Sequence, residues 1–287
     1  MKQAGIFGVL ALSTLVFAQT PAQPVGQATT GQAAAAQATP TKRPPQAKTQ
    51  AEYDAYKAAM ANTSDPAAVE KAADDFAAKF PDSELKVLLY SSAMQGYQTT
   101  NNAEKMMEMG RKVLKLSPDD PVALTGVAQV LAERTKDTDL DKEQRYDEAA
   151  KLAQHALDSV DNVAVPANTP QDKIDAYKGF LRSNAYYVLG TVQYDQEKYA
   201  TAEANFRKSI DAFPSQPDPL AVLRLALSLD KQEKYPEALK FANQAVQITQ
   251  ENTTLGTYAR NERDRLTQLT GGTTPAPQAP ANSPPKN

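Results

Sequence analysis

The chain has 287 residues, 41% of them hydrophobic and 23% charged, with no Cys, no Trp and a single His. Without Cys there are no disulfides and no thiol nucleophile, and the small number of large apolar residues favours packed helices over a sheet-based enzyme. All 34 acidic residues but only 26 of the 31 basic ones lie within residues 51–271, so this acidic region lacks the clustered basic face that nucleic-acid phosphates need.

Residues 1–18 have the order of a secretory signal peptide. Lys2 precedes an apolar stretch from Ile6 to Phe17, and the small residue Ala18 stands last before the predicted cleavage site. The stretch is shorter than the about 20 apolar residues that a membrane span needs, which favours a cleaved signal over an uncleaved anchor. An alternative cleavage site follows Ala22. We therefore predict an exported, periplasmic or secreted protein with no membrane span after signal removal.

Two segments have the composition of disordered linkers. Residues 19–48 are rich in Ala, Gln, Thr and Pro, and residues 271–287 are rich in Pro. Segments with few large apolar groups cannot offset the entropy that is lost on ordering. We expect both to be solvated spacers, although Pro-rich segments can also be ligands of Pro-recognising modules.

Between these tails, apolar residues at helical spacing predict a stack of helical hairpins. Prolines that cannot continue a helix close three of them, at Pro81, Pro118 and Pro214. The predicted units are five hairpins at about 50–83, 87–120, 121–165, 170–216 and 219–252, followed by a capping helix at 253–270.

The capping helix is predicted from an apolar stripe on an otherwise charged segment. A stack of hairpins needs such a cover, whose outer side tolerates water, at its open end. The expected stripe consists of Leu255, Tyr258, Leu266 and Leu269.

The fourth hairpin carries the clearest motif of the chain. Tyr186 stands three residues before the pair Leu189-Gly190, and the spacing continues through Tyr199, Ala202, Phe206 and Pro214. This pattern resembles the tetratricopeptide repeat (TPR), with Tyr in the Trp place. The resemblance implies an all-α, right-handed α-solenoid of about five hairpins.

The other hairpins repeat the motif with drift. The residues at the place of Tyr186 are Tyr53, Tyr90, Leu124 and Val222, and those at the place of Ala202 are Val69, Met106, Ala149 and Ala238.

The third and fourth hairpins are longer than a regular unit, for two reasons. One is an enlarged turn at residues 134–145. The other is a helix that we expect to start near Pro170 and to continue to about Glu197, since Thr169-Pro170-Gln171-Asp172 resembles a capping box.

The enlarged turn also contains acidic residues at the ligand spacing of an EF-hand calcium loop: Asp137, Asp139, Asp141 and Glu148. Lys142 stands where that loop needs Gly for its sharp turn. The favoured interpretation is a solvated charged turn, and a calcium-stabilised module is a weak alternative.

TPR proteins bind partners in a concave groove lined by the first helix of each hairpin. When the groove positions of TPR proteins are carried over to this sequence, the residues at them become aromatic and aliphatic toward the C-terminus. We predict a partner site there. Its residues are Tyr187, Thr191, Tyr194, Leu220, Leu223 and Leu227. An alternative is that the long helix or the capping helix covers these residues. A partner helix or peptide, or a second copy of the chain, could fill the groove.

The function predicted from these features is a non-catalytic scaffold that binds other envelope or secreted proteins and needs no cofactor. The segment from Asp74 to Ser83, with Phe76, Phe80 and Pro81, is similar to the hairpin closings of bacterial envelope TPR proteins. An alternative is a secreted enzyme acting on wall polymers. The lone His155, on an amphipathic helix, and the absence of nucleophile or phosphate-binding motifs argue against it.

Overall fold

A computed structural model describes residues 43–61, 64–166 and 168–271, and every regular secondary-structure element in these ranges is a helix. The predicted signal peptide, and residues 19–42 and 272–287 of the predicted linkers, lie outside the described residues. The helices are α1 (Gln50–Ala59), α2 (Pro66–Lys79), α3 (Lys86–Thr99), α4 (Ala103–Leu116), α5 (Pro121–Arg134), α6 (Lys142–Ser159), a short 3-10 helix (Val160–Asn162), α7 (Gln171–Asp195), α8 (Tyr199–Ala212), α9 (Pro219–Asp230), α10 (Tyr235–Ile248) and α11 (Thr254–Leu269).

Successive helices pack as five hairpins, from α1 with α2 to α9 with α10, and α11 packs on α10 and α9. The first helices of the last three hairpins also meet, because α7 contacts both α5 and α9. We call the surface that α5, α7 and α9 present together the inner face. Among the described helices, none combines the length and the apolarity that crossing a membrane requires.

Local sequence signals start and end the helices. At α2, α5 and α9 the N-cap is an Asp whose carboxylate accepts a backbone N–H of the first turn, and a Pro follows as the first helical residue. Three hairpins turn through a residue with positive φ, at Asn101, Glu197 and Glu233. In each case the backbone N–H of the following residue donates to the carbonyl of the residue five positions before it, which is a Schellman-type helix ending.

The repeated small or apolar positions of the motif lie in the core. Val69, Met106, Ala149, Ala202 and Ala238 are each at most 2% exposed. They belong to the second helices of the five hairpins, which confirms the repeat alignment made from sequence.

The Leu-Gly pair of the motif marks a close approach of α7 to α8. A Cβ atom placed on Gly190 would lie 2.7 Å from Cε1 of Phe206. Phe206 is fully buried, and its ring centroid lies 6.1 Å from that of Tyr187. Glycine is therefore required here by the packing of the Phe206 ring.

The predicted long helix is present as α7, but the predicted capping box is wrong. Pro170 is the N-cap of α7 and makes no side-chain capping bond. The Thr169 hydroxyl donates instead to the carbonyl of Pro166.

The prediction of a solvated spacer is wrong for its last six residues, 43–48. Arg43 pairs with Glu84 at 2.6 Å, and Ala47 is buried. The backbone N–H of Lys48 donates to Glu52, a buried carboxylate that also accepts from Ser83. This segment is ordered because its amides and its cation meet carboxylates of the folded region.

The capping helix is present as α11, but its buried stripe differs from the predicted one. Leu266 is fully buried and Leu255 is half-buried, whereas Tyr258 and Leu269 are each 51% exposed. Gly256, Ala259 and Glu262 take the remaining buried positions of α11. The carboxylate of Glu262 is tolerated at this buried position because the side chain of Arg265 donates hydrogen bonds to both of its oxygens.

We predict that Gly190→Ala lowers the free energy of unfolding by about 1–3 kcal/mol, because the added methyl group overlaps the Phe206 ring. Urea unfolding followed by circular dichroism measures this change. Gly126→Ala is the matched control, since the nearest atom to its new Cβ is the mobile end of Met106, at 3.0 Å. The control should unfold at the same or a higher urea concentration, because Ala favours helix over Gly. Equal losses in both variants would contradict the packing argument.

Candidate functional site

The structure buries half of the predicted groove residues within the chain itself. Thr191 is fully buried, and Tyr187 and Leu223 are each 4% exposed. Tyr194, Leu220 and Leu227 are half-buried.

The prediction of an accessible apolar groove end is wrong for Leu223. This residue packs in a core cluster with Ala245 of α10 and Ala259 of α11, and Leu227 packs against the same cluster. The capping helix therefore covers this part of α9, and Leu223 is a core residue rather than a contact for a partner.

A polar group occupies the inner face instead. Its members come from all three helices of that face and include one cation and three carboxylates. We call it the inner-face cluster, which consists of Glu133, Tyr187, Thr191, Tyr194, Asp195, Asp218 and Arg224.

Arg224 is the cation of the cluster, and its side chain is 17% exposed. Its Nη1 atom lies 3.6 Å from Oδ1 of Asp195, and its guanidinium carbon lies 5.8 Å from the ring centroid of Tyr194. Burial works against the charged form of Arg224, but Tyr187, Asp195 and Glu133 outweigh it and raise the pKa of Arg224. The guanidinium is thus held charged in a poorly solvated position.

The three carboxylates of the cluster are also poorly solvated. Burial raises the pKa of Asp195 although Arg224 partly opposes the shift. Burial likewise raises the pKa of Glu133 and of Asp218. Ionisable groups with perturbed pKa values are common at functional sites.

Two of these carboxylates make no ion pair within the part of the chain that the structure describes. Glu133 Oε1 accepts from Gln129 Nε2 at 3.0 Å and, at 3.4 Å, from the Tyr187 hydroxyl. Asp218 caps α9 and accepts from the backbone N–H of Leu220 at 2.9 Å. The cluster therefore holds more negative than positive charge.

The enlarged turn borders the inner-face cluster. A surface hollow of about 300 Å³ is lined by Asp137 and Lys142 from the turn region and by Asp195 from α7. Leu140, in the same turn, is fully exposed.

Three of the four acidic residues that resemble an EF-hand are engaged with basic side chains, and the fourth, Asp141, is the N-cap of α6. Asp137 lies 3.6 Å from Lys142, Asp139 lies 3.2 Å from Arg145, and Glu148 lies 2.8 Å from Arg111. Across residues 43–61, 64–166 and 168–271, no three acidic or His side chains are placed to hold a metal ion. The structure gives the calcium interpretation no support.

His155, the residue on which an enzyme would have depended, lies on α6 with its side chain 44% exposed. Its Nε2 atom is 3.0 Å from Oδ1 of Asp119. This contact joins α6 to the turn before α5, which is a structural role.

Comparison with known proteins places one segment in a family. Residues 183–216 match the family model described as tetratricopeptide repeat. These residues form a tetratricopeptide repeat. A TPR scaffold implies protein partners. No curated protein matches the chain in sequence.

Among solved structures, PilF of Pseudomonas aeruginosa shares the TPR-type helical fold. It is 19% identical, the match covers 77% of this chain and 87% of that chain, and the TM-score is 0.53. Two likenesses are weaker. The assembly chaperone of RpL4, Acl4, is 12% identical; the match covers 72% of this chain and 93% of that chain, with a TM-score of 0.36. The APC/C hetero-tetramer Cut9–Hcn1 is 12% identical; the match covers 76% of this chain and 45% of that chain, with a TM-score of 0.33. At this level of identity the likeness to PilF concerns the fold.

The residues predicted by TPR position share the inner face with charged groups that this reasoning did not indicate. Glu133, Asp195, Asp218 and Arg224 were not predicted as site residues. One signal was available, since Arg224 interrupts a helix that is otherwise apolar almost all round. A cation at such a position is costly unless neighbouring helices supply carboxylates.

We predict that Glu133→Gln raises the Tm at pH 7 and leaves it unchanged at pH 3. The raised pKa means that the fold disfavours the ionised side chain. Its ionisation therefore costs stability as pH rises above the pKa of the unfolded chain, near about 4, and costs nothing below it. Thermal melts of both proteins across this pH range test the prediction.

The control for this experiment is Glu70→Gln, which should show the opposite sign. Burial works against the charge of Glu70, but hydrogen bonds from Lys105 and Tyr97 outweigh it and lower its pKa. The ionised Glu70 carboxylate therefore stabilises the fold at pH values above the pKa that this group has in the unfolded chain, and the stabilisation is lost on acidification. Glu70→Gln should lower the Tm at pH 7. A lower Tm for Glu133→Gln as well would contradict the assignment of a strained carboxylate.

Proposed function

We propose that this protein is a non-catalytic scaffold of the cell envelope that binds a segment of a partner protein on its inner face. The observation that carries the proposal is the inner-face cluster, in which Arg224 lies half-buried among polar groups from three successive hairpins. TPR proteins present this face to their partners.

The energetics of the cluster support a binding role. Removing charges from water costs free energy that ion pairing only partly returns, so an apolar face would be at least as stable. Glu133 and Asp218 have raised pKa values, which means that their charged forms strain the fold. A cluster that costs stability is best explained by what it binds.

The envelope location rests on the sequence of residues 1–18, which has the charged start, short apolar core and small final residue of a secretory signal. The similarity of the segment from Asp74 to Ser83 to envelope TPR proteins points the same way. Fusion of residues 1–22 to a reporter that is active only after export tests this part separately.

The binding proposal is tested by photo-crosslinking in cells of the source organism. A photoreactive amino acid replaces Tyr194, which is half-buried on the inner face, or Tyr258, which is 51% exposed on α11. We expect a discrete crosslinked protein partner from position 194 and none from position 258. The same product from both positions, or from neither, would contradict an inner-face site.

The role of the guanidinium is tested in the same system. Arg224→Gln should reduce the crosslink from position 194 by about tenfold or more, because it removes the guanidinium that positions Asp195 and the Tyr194 ring. Arg207→Gln is the matched control, because Arg207 lies on α8 and pairs with Glu203 and Glu237. The control should leave the crosslink unchanged, and thermal melts establish that both variants are folded.

A further inference from the structure

The inner-face cluster has two acceptors with no cation of their own. Glu133 lies on α5, and Asp218 is the N-cap of α9. In the described parts of the chain, neither forms an ion pair, and their hydrogen bonds come from neutral groups. Arg224, the one cation of the cluster, has its ion pair with Asp195.

Both carboxylates lie near the same phenol, that of Tyr187 on the intervening helix α7. Glu133 accepts from the Tyr187 hydroxyl at 3.4 Å, and Asp218 begins α9, which packs on the same helix α7. The two acids therefore stand on the two helices that pack on either side of α7 on the inner face. Both are half-buried, so a side chain from outside can reach them.

A third group at this position is also incompletely satisfied. The hydroxyl of Thr191 is fully buried and has no hydrogen-bond partner of ordinary distance and angle within the described ranges. Burial raises the pKa of the nearby Tyr187 phenol, and the Thr191 hydroxyl partly opposes that shift. A buried hydroxyl without a good partner is uncommon in native proteins and calls for an explanation such as a ligand at this position.

The charge balance decides which kind of ligand fits. Three carboxylates face one guanidinium, so an acidic segment would meet net repulsion, whereas a basic side chain would restore neutrality. The half-buried ring of Tyr194, which already lies against Arg224, adds an aromatic surface that favours cations.

We infer that the inner-face cluster is a receptor for a basic side chain, Lys or Arg, which a partner segment inserts between Glu133 and Asp218. This inference rests on the proposed function and adds the chemistry of the partner. The inserted cation would donate to the two carboxylates, Glu133 and Asp218, that make no ion pair within the described residues. Acidic peptides and purely apolar helices are the competing occupants.

The test is the selection of ligands from a phage-displayed library of short random peptides, with the full chain as bait. We expect a Lys or Arg to recur at one position of the peptides that bind. Their Kd is then measured by fluorescence anisotropy against wild type and against the double variant Glu133→Gln, Asp218→Asn. Both substitutions keep the side-chain shape, and Asn remains a good N-cap for α9.

The double variant should bind the selected peptides about 10- to 100-fold more weakly, as expected when the partner charge of a buried pair is lost. The matched control is Glu104→Gln, Asp211→Asn, which removes the same charge from exposed positions on α4 and α8. It should bind as wild type does. Replacing the recurrent basic residue of the peptide by Gln should cost as much as the double variant, and the two changes together should cost little more.

Destabilisation of the fold would not explain weaker peptide binding by the double variant, because its Glu133→Gln substitution is expected to raise the Tm. Selected peptides without a basic residue, or acidic peptides that depend on Arg224, would overturn the inference. If the crosslink from position 194 is still found in that case, the proposed function stands and only the basic anchor fails. If peptides and crosslinks are both absent, both proposals fail.

Discussion

A hairpin of two short helices cannot bury all of its apolar side chains, and the architecture of this protein depends on that limit. In α4, Met106, Met109 and Val113 are buried because α3 and α5 both pack against the helix. Each hairpin is therefore stable only with its neighbours present. The same requirement explains α11, which gives α9 and α10 the cover that a further hairpin would otherwise provide.

Much of the fold could be predicted from sequence because its determinants are local. The spacing from Tyr186 to Phe206 defines one hairpin, and the close approach at Gly190 explains why the motif keeps a glycine. Details that depend on neighbours were predicted less well. The buried stripe of α11 includes Glu262, which periodicity alone assigns to the surface and which only Arg265 makes acceptable.

The candidate site was harder to predict, because its charges come from different hairpins. Glu133, Asp195 and Arg224 lie on three helices that meet only after the hairpins stack. Motif positions identified Tyr187 and Thr191, which contribute to the floor of the cluster but are themselves buried. Sequence thus indicated the face, while the ionic character of that face is a property of the tertiary structure. Its raised carboxylate pKa values show that burial of these charges costs stability.

The length of α7 has a consequence for the folding of the whole chain. With 25 residues it extends about 37 Å, against about 21 Å for the 14 residues of α8. Its first half packs Leu181 against Val160 and Val163, which follow α6, and its second half forms the hairpin with α8. Repeat arrays often unfold one unit at a time, but here a single rigid helix belongs to two units. The third and fourth hairpins should therefore behave as one cooperative block, which keeps Glu133, Tyr187 and Asp195 in place while the ends of the array fray.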